Sequence, residues 1–199
     1  MDPEAATRLF QRLDRELWVV TASSGARRGG LIATFVSQAS IVPELPRVLV
    51  GLARAHHTRE LVEQSNTFGL HLLGEEHLDW VWRFGLRSGR DGDKLDGLSL
   101  VLGPSGAPLL AGARGWLDCR VEARLDTGDR TVYLAEVLDA RAPDARPILT
   151  VGRMIDLAPA DRREELREQL LRDGARDAAA IRAWRLSAAA PAPAPAPAP

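Results

Sequence analysis

Gly30-Leu31-Ile32-Ala33-Thr34-Phe35-Val36-Ser37-Gln38-Ala39-Ser40-Ile41-Val42-Pro43, then the apolar run 48–53 and Arg54-Ala55-His56-His57-Thr58, sets the architecture of this chain. Residues 31–37 have the apolar and β-branched character of a strand, and Pro43 with Pro46 brackets a turn. Residues 47–53 form an almost unbroken apolar strand of the kind covered on both faces, which predicts a central place in a sheet. Thr58 is placed to cap a helix running to residue 64. Strand, turn, strand and helix start, with small and polar groups beside cationic ones, suit a phosphorylated cofactor laid across a sheet edge.

Working outward, Leu9, Phe10 and Leu13 recur at helical spacing in residues 3–15, and the β-rich run Leu17-Trp18-Val19-Val20-Thr21 follows as a buried strand. Residues 23–30 hold three glycines and two serines and predict a hairpin loop, making the first two strands antiparallel neighbours. Ser65-Asn66 ends the helix before a strand over 68–73, and a second helix over 75–84 carries Leu78, Val81 and Trp82 on one side. The loop 85–97, charged and rich in glycine, is expected to be exposed and mobile. From 117 to 125 Leu117, Cys119, Val121, Ala123 and Leu125 alternate with charged residues, the mark of a half-exposed strand. Asp126-Thr127-Gly128-Asp129 turns the chain into a β-forming partner over 130–138. Strands joined mostly by hairpins, with few helices inserted, predict a mainly β fold built as an antiparallel barrel.

With 199 residues, 45% of them hydrophobic, the chain can bury one sizeable core. A net charge of −1 gives no basic excess for nucleic acid. The single cysteine, Cys119, cannot pair internally, so a reducing cytoplasm is the expected location. No run reaches the ~18 apolar residues of a membrane span, and a soluble protein is expected. The barrel is expected over 1–157, a helix over 158–186 and a disordered Pro/Ala tail over 187–199. The helix contains Asp161 and Glu164 in capping-box spacing and packs through Leu166, Leu170 and Ile181, either as an appendage closing the barrel or as a partner contact. The PAPAPAPAP tail carries five of the 13 prolines and forms neither sheet nor helix.

At the junction 54–58, free backbone N–H groups and the positive end of a helix attract an anion. Arg54, His56 or His57 can add charge-assisted bonds and Thr58 a hydroxyl. A plain capped helix with surface histidines has the same pattern. Thr34, Ser37, Gln38 and Ser40 stand among the small residues Ala33 and Ala39, which would let a planar ring approach the backbone; a strand with hydroxyls toward water reads alike. Arg83-Phe84 can clamp a phosphate or cover a ring, whereas Trp80 and Trp82 read as core or interface. His71 and His77 are not placed to share a metal and read as structural. No GxGxxG follows a strand, and GxxxxGK[ST], GxSxG and HExxH are absent.

LWVVTA, GLIATFVSQASIVPELPRVLVGLA, HHTRELVEQSNTFGLHLL, RFG, DKLDG, GAPLL and GWLDCRVEARLDTGDRTVYLAEVLD, taken in order over about residues 16–140, resemble the flavin reductase-like family of FMN-binding split barrels. The resemblance implies a split barrel, a homodimer, and FMN or FAD that receives hydride from NADH or NADPH for a partner monooxygenase or other acceptor. It assigns cofactor binding to Ala33, Thr34, Phe35, Ser37, Gln38, Ala39, Ser40, Gly51, Ala53, Arg54, His56, His57, Thr58, Arg83 and Phe84. Phe35-Val36 replaces the family's usual Ser-Phe pair. Arg130 stands where a histidine near the nicotinamide is common, so it is the nicotinamide-side candidate. No residue is assigned as a catalytic acid, base or nucleophile, and none as a metal ligand. Two functions follow: an NAD(P)H-dependent flavin reductase, or a non-catalytic module carrying FMN or haem in electron transfer.

Overall fold

The computed structural model describes residues 2–143 and 145–188, and most of the Pro/Ala tail lies outside them. Helix α1 (Pro3–Phe10) begins with Asp2 accepting from the Glu4 N–H at 2.9 Å. It is shorter than its periodicity predicted, and Leu9, Phe10 and Leu13 remain exposed because no element packs against them. Strands β1 (Trp18–Ser24) and β2 (Arg27–Ala33) form the expected antiparallel hairpin. Its turn is only Gly25-Ala26, with Gly25 at φ 58°, so Arg27 to Gly30, read from sequence as loop, extend the strand.

After a break at Thr34-Phe35 come β3 (Val36–Gln38), β4 (Arg47–Ala53), α2 (His57–Ser65) and β5 (Thr67–Leu72). A 3-10 turn at Glu75–His77 leads into α3 (Leu78–Gly85). Beyond it lie β6 (Leu100–Leu102), β7 (Pro108–Leu110), β8 (Gly115–Asp126), β9 (Arg130–Arg141), α4 (Val151–Leu157) and α5 (Ala160–Ala188). The main sheet has the order β2-β1-β5-β8-β9-β4-β3 with every neighbour antiparallel; β6 and β7 form a separate ribbon.

Leu31 and Ala33 of β2 share one buried cluster with Val48, Val50 and Leu52 of β4, although four strands separate them in the sheet. Only a curled sheet can do this, and the result is a half-barrel filled by Phe68, Leu70, Cys119 and Tyr133. A second core lies on the outer face, where Val19, Leu73, Val81, Phe84, Leu95 and Leu110 meet. Gly30 is required here: a Cβ on it would come within 2.7 Å of the Phe84 ring.

Three expectations are corrected. Strand β4 is not central but second from the open edge, with Leu49 38% exposed, because only its inner face finds a core. The alternation of β8 is broken by register shifts at Asp118/Cys119 and Val121/Ala123. These bury Asp118, which accepts from the Ser105 N–H at 2.8 Å and from the Ser105 hydroxyl, while Leu125 is left outside. The loop 85–97 is exposed over most of its length, yet Lys94 and Leu95 plug inward. His71 is fully buried; the Leu110 N–H donates to its Nε2 at 3.0 Å, so its Nδ1–H donates to the Val19 carbonyl at 3.0 Å. Burial pushes this imidazole down to about 4.

Candidate functional site

The chain leaves β4 through a tight turn in which the His56 N–H donates to the Ala53 carbonyl at 3.1 Å, and α2 starts at His57. His56, not Thr58, is therefore the N-cap residue, and no side chain caps the helix. Thr58 lies one residue inside, 2% exposed, against the β-hairpin at Gly29. His57 turns to Glu60, its Nδ1 3.2 Å from the carboxylate. Arg54 reaches Asp126 at 3.3 Å, and its N–H donates to the Asp129 carbonyl at 2.9 Å, so the junction is tied to the β8–β9 turn.

His56 is the least satisfied group here. Its Nδ1 is buried with no hydrogen-bond partner among the described residues. Burial holds its pKa below the ordinary value, with Lys94, Arg176 and Arg130 pressing the same way and Asp173 opposing them. Lys94 was absent from the site residues read from sequence, although the DKLDG motif contains it. Its ammonium is buried and donates to the carbonyls of Gly30 at 3.1 Å and Phe84 at 2.9 Å, with no carboxylate bonded to it among the described residues. Desolvation lowers it to about 8. A buried lysine bonded to backbone carbonyls, a helix start without a side-chain cap and an orphaned imidazole are groups whose chemistry fits the anionic end of a mononucleotide.

Beyond the cradle, Phe35 stands 49% exposed with the Arg130 guanidinium 4.6 Å and the Arg15 guanidinium 5.2 Å from its ring centre. The Phe35 carbonyl accepts from the Gly51 N–H at 2.8 Å, and a side chain at Gly51 would crowd the Phe35 Cβ at 3.3 Å. Gly51, Ala53, Phe35 and Arg130 are thus brought together, with Thr34 half-buried beside them. Arg15 was missed because nothing in its local sequence points to the ring it meets.

Other expected residues are committed elsewhere. Arg83 braces the loop by donating to the carbonyls of Lys94 at 2.6 Å and of Asp96, and Phe84, 1% exposed, is core. Ala33 closes the inner core. Ser37, Gln38, Ala39 and Ser40 lie at the sheet edge in local bonds, with Gln38 donating to the Ser40 carbonyl at 2.6 Å and the Ser40 hydroxyl accepting from the Val42 N–H at 3.1 Å. On the far side of α2 an open cleft of ≈ 460 Å³ is lined by Arg27, Arg28, His57, Glu60, Arg90 and Asp93 among others. Its arginines are paired: Arg28 with Asp93 at 2.6 Å, Arg90 with Glu60, and Arg27 with Gln64 at 2.7 Å.

A curled antiparallel half-barrel of this strand order, with helices packed on its outer face, defines a split barrel. The chain belongs to the flavin reductase like domain family, which it matches over residues 10–155. It is 30% identical to the ferric-chelate reductase (NAD(P)H) of Archaeoglobus fulgidus over 152 residues, covering 75% of this chain and 86% of that one. It is 29% identical to the high molecular weight rubredoxin of Moorella thermoacetica, covering 75% and 74%. Among solved structures, the NADH:FAD oxidoreductase of Streptomyces globisporus C-1027 superposes with a TM-score of 0.65 at 28% identity, covering 75% of this chain and 88% of that one. The same enzyme in complex with NAD and FAD fragments gives 0.64 at 29% identity.

Proposed function

We infer that this protein is an NAD(P)H-dependent flavin reductase that takes FMN, or FAD, at the cradle between α2 and Lys94. The observation that carries this reading is the orphaned His56 Nδ1 at the uncapped start of α2, within electrostatic reach of the buried Lys94 ammonium, which is bonded to carbonyls. The relatives named for nicotinamide-dependent reduction support it. The bound flavin supplies the ring that accepts hydride. Lys94, His56 and the first backbone N–H groups of α2 hold the phosphate, Gly51 and Thr34 leave the neighbouring backbone approachable, and Phe35 with Arg130 bounds the nicotinamide side. No side chain is asked to move a proton; the protein contributes orientation.

The partners are proposals of the same reading. The exposed side chains Ile41, Leu45 and Leu49 near the open edge of the sheet support a homodimer with a second copy on that face. A partner monooxygenase is the proposed acceptor and the cytoplasm the proposed location. No helix among the described residues is long and apolar enough to cross a membrane.

Purified protein should oxidise NADH or NADPH when FMN is added, well above the rate with free flavin alone. The second reading, a binding module that carries FMN or haem without turnover, is favoured by one observation: Arg130 is already paired with two carboxylates. It predicts a yellow protein, or one with a Soret band, and no added nicotinamide consumption.

A further inference from the structure

Helix α5 lies across the candidate site. Gln169, Asp173, Asp177, Ala180 and Trp184 fall along one of its faces, three or four residues apart, and meet the barrel in turn. Gln169 Nε2 donates to the Gly85 carbonyl at 3.1 Å, just after the Arg83-Phe84 pair. Asp173 acts on His56, opposing its loss of basicity. Asp177 Oδ2 accepts from Arg130 Nη2 at 3.1 Å. Ala180 and Trp184 cover Gly128, where a Cβ would come within 2.6 Å of the Trp184 Cβ and 3.0 Å of the Ala180 carbonyl. Gly128 also has φ +92°, so the tip of the β8–β9 turn is both left-handed and shaped to receive the helix.

The face turned to the barrel carries an amide and two carboxylates, whereas Leu170, Leu171 and Leu186 are 70%, 63% and 76% exposed. Leu166 and Ile181 are half-buried, as their spacing predicted, and Trp184 packs on Gly128, but no α5 residue is fully buried among the described side chains, and the remaining contacts are polar bonds that are individually weak. Segments held in this way open well below the free energy of global unfolding.

We propose that α5 is a strap over the pyridine-nucleotide side of the site, latched by the Asp177 carboxylate on Arg130, and that an anionic dinucleotide gains Arg130 only as the strap releases. This rests on the reading of Arg130 given above. Arg130 is bonded by Asp129 at 3.1 Å and Asp177 at 3.1 Å and carries Phe35 beneath it. Asp129 is fixed within the turn, its carboxylate also accepting from the Thr127 hydroxyl at 3.1 Å. Asp177 has a second partner as well, Arg176 at 3.5 Å, but that arginine belongs to α5 and moves with it, so Asp177 is the group an incoming phosphate displaces. While the latch is closed, apparent affinity for the dinucleotide is scaled down by the fraction of open molecules.

Two measurements on the full chain test this. In the first, NAD+ and NADP+ are titrated calorimetrically into FMN-loaded protein; Asp177→Asn and Trp184→Ala should each tighten binding by about fivefold, as expected for a modest shift toward the open state. Unchanged or weaker binding in both variants overturns the strap. In the second, hydrogen exchange of amides 169–184 in flavin-free protein should be about fivefold faster in Asp177→Asn than in wild type, the effect of losing one part-buried ion pair. Equal exchange overturns the latch whatever the flavin result. Failure of FMN to bind the wild type, with faster exchange in the variant, defeats the flavin reading and leaves the latch standing.

Discussion

On β1, Val20 and Ala22 enter the inner core while Val19 enters the outer one; on β4, Val48, Val50 and Leu52 enter the inner core while Arg47 and Leu49 face outward without cover. The wall of β2, β1 and β5 is thus closed on both sides by apolar packing. The wall of β9, β4 and β3 is closed on one side, and its other face carries Phe35, Arg130 and the exposed leucines. The difference separates duties: doubly packed strands fix the shape, and singly packed strands leave an open surface, the one to which the nucleotide and the second copy proposed above are assigned. A site of weak polar contacts needs a rigid wall behind it.

The sharpest way to break this contrast is to truncate one residue on each wall. Phe84→Ala, which empties the space above Gly30, should cost about 3–5 kcal/mol in urea unfolding, against under about 1 kcal/mol for Leu49→Ala. Similar losses would mean that the open wall is as tightly packed as the closed one.

Acid should strike the closed wall next. His71 is neutral in the fold and bonded at both nitrogens, so the unfolded chain takes up its proton first as pH falls below 6.5. Stability is present above that value and is lost down to about pH 4, by roughly 3 kcal/mol across the window. The difference between wild type and His71→Leu isolates it: the variant should lose stability less steeply with acid. Parallel curves would discount the group.

Smaller effects belong to the site. Lys94 is charged below about pH 8, so FMN affinity should weaken as pH rises through that value. Lys94→Met should bind FMN about tenfold more weakly at pH 7 and lose this pH dependence, as expected when a charge-assisted contact is removed. An unchanged fluorescence titration would move the cradle elsewhere. Least of all, Leu49→Ser should alter monomer stability by no more than about 0.5 kcal/mol while lowering self-association in sedimentation, because it touches only the uncovered face.

Local rules made much of this legible. The β1–β2 and β8–β9 hairpins, the end of α2 at Asn66 with φ 58°, and the curled antiparallel class follow from turn residues and period-two patterning. The candidate site was legible as a junction between strand and helix rather than as atoms. Arg54, His56 and Thr58 are where the sequence puts them, yet Arg54 turns to Asp126 and Thr58 is sealed behind Gly29. What escaped depends on contacts distant in sequence: the burial of Lys94 under Gly30, of Asp118 through two bulges, and the meeting of Arg15 with Phe35. An apolar run such as 47–53 also cannot show whether its second face has found a core.

Cys119, the single cysteine, sits fully buried in the inner core, and burial, aided by the Asp118 carboxylate, pushes its thiol far above the usual range. Reduced isoalloxazines meeting dioxygen release hydrogen peroxide, and peroxide attacks thiolates. The only sulfhydryl of this chain is thus protonated and walled off from the oxidant its own chemistry would generate. Maleimide dyes attached at introduced surface cysteines would report from chosen positions without the native sulfur first having to be removed.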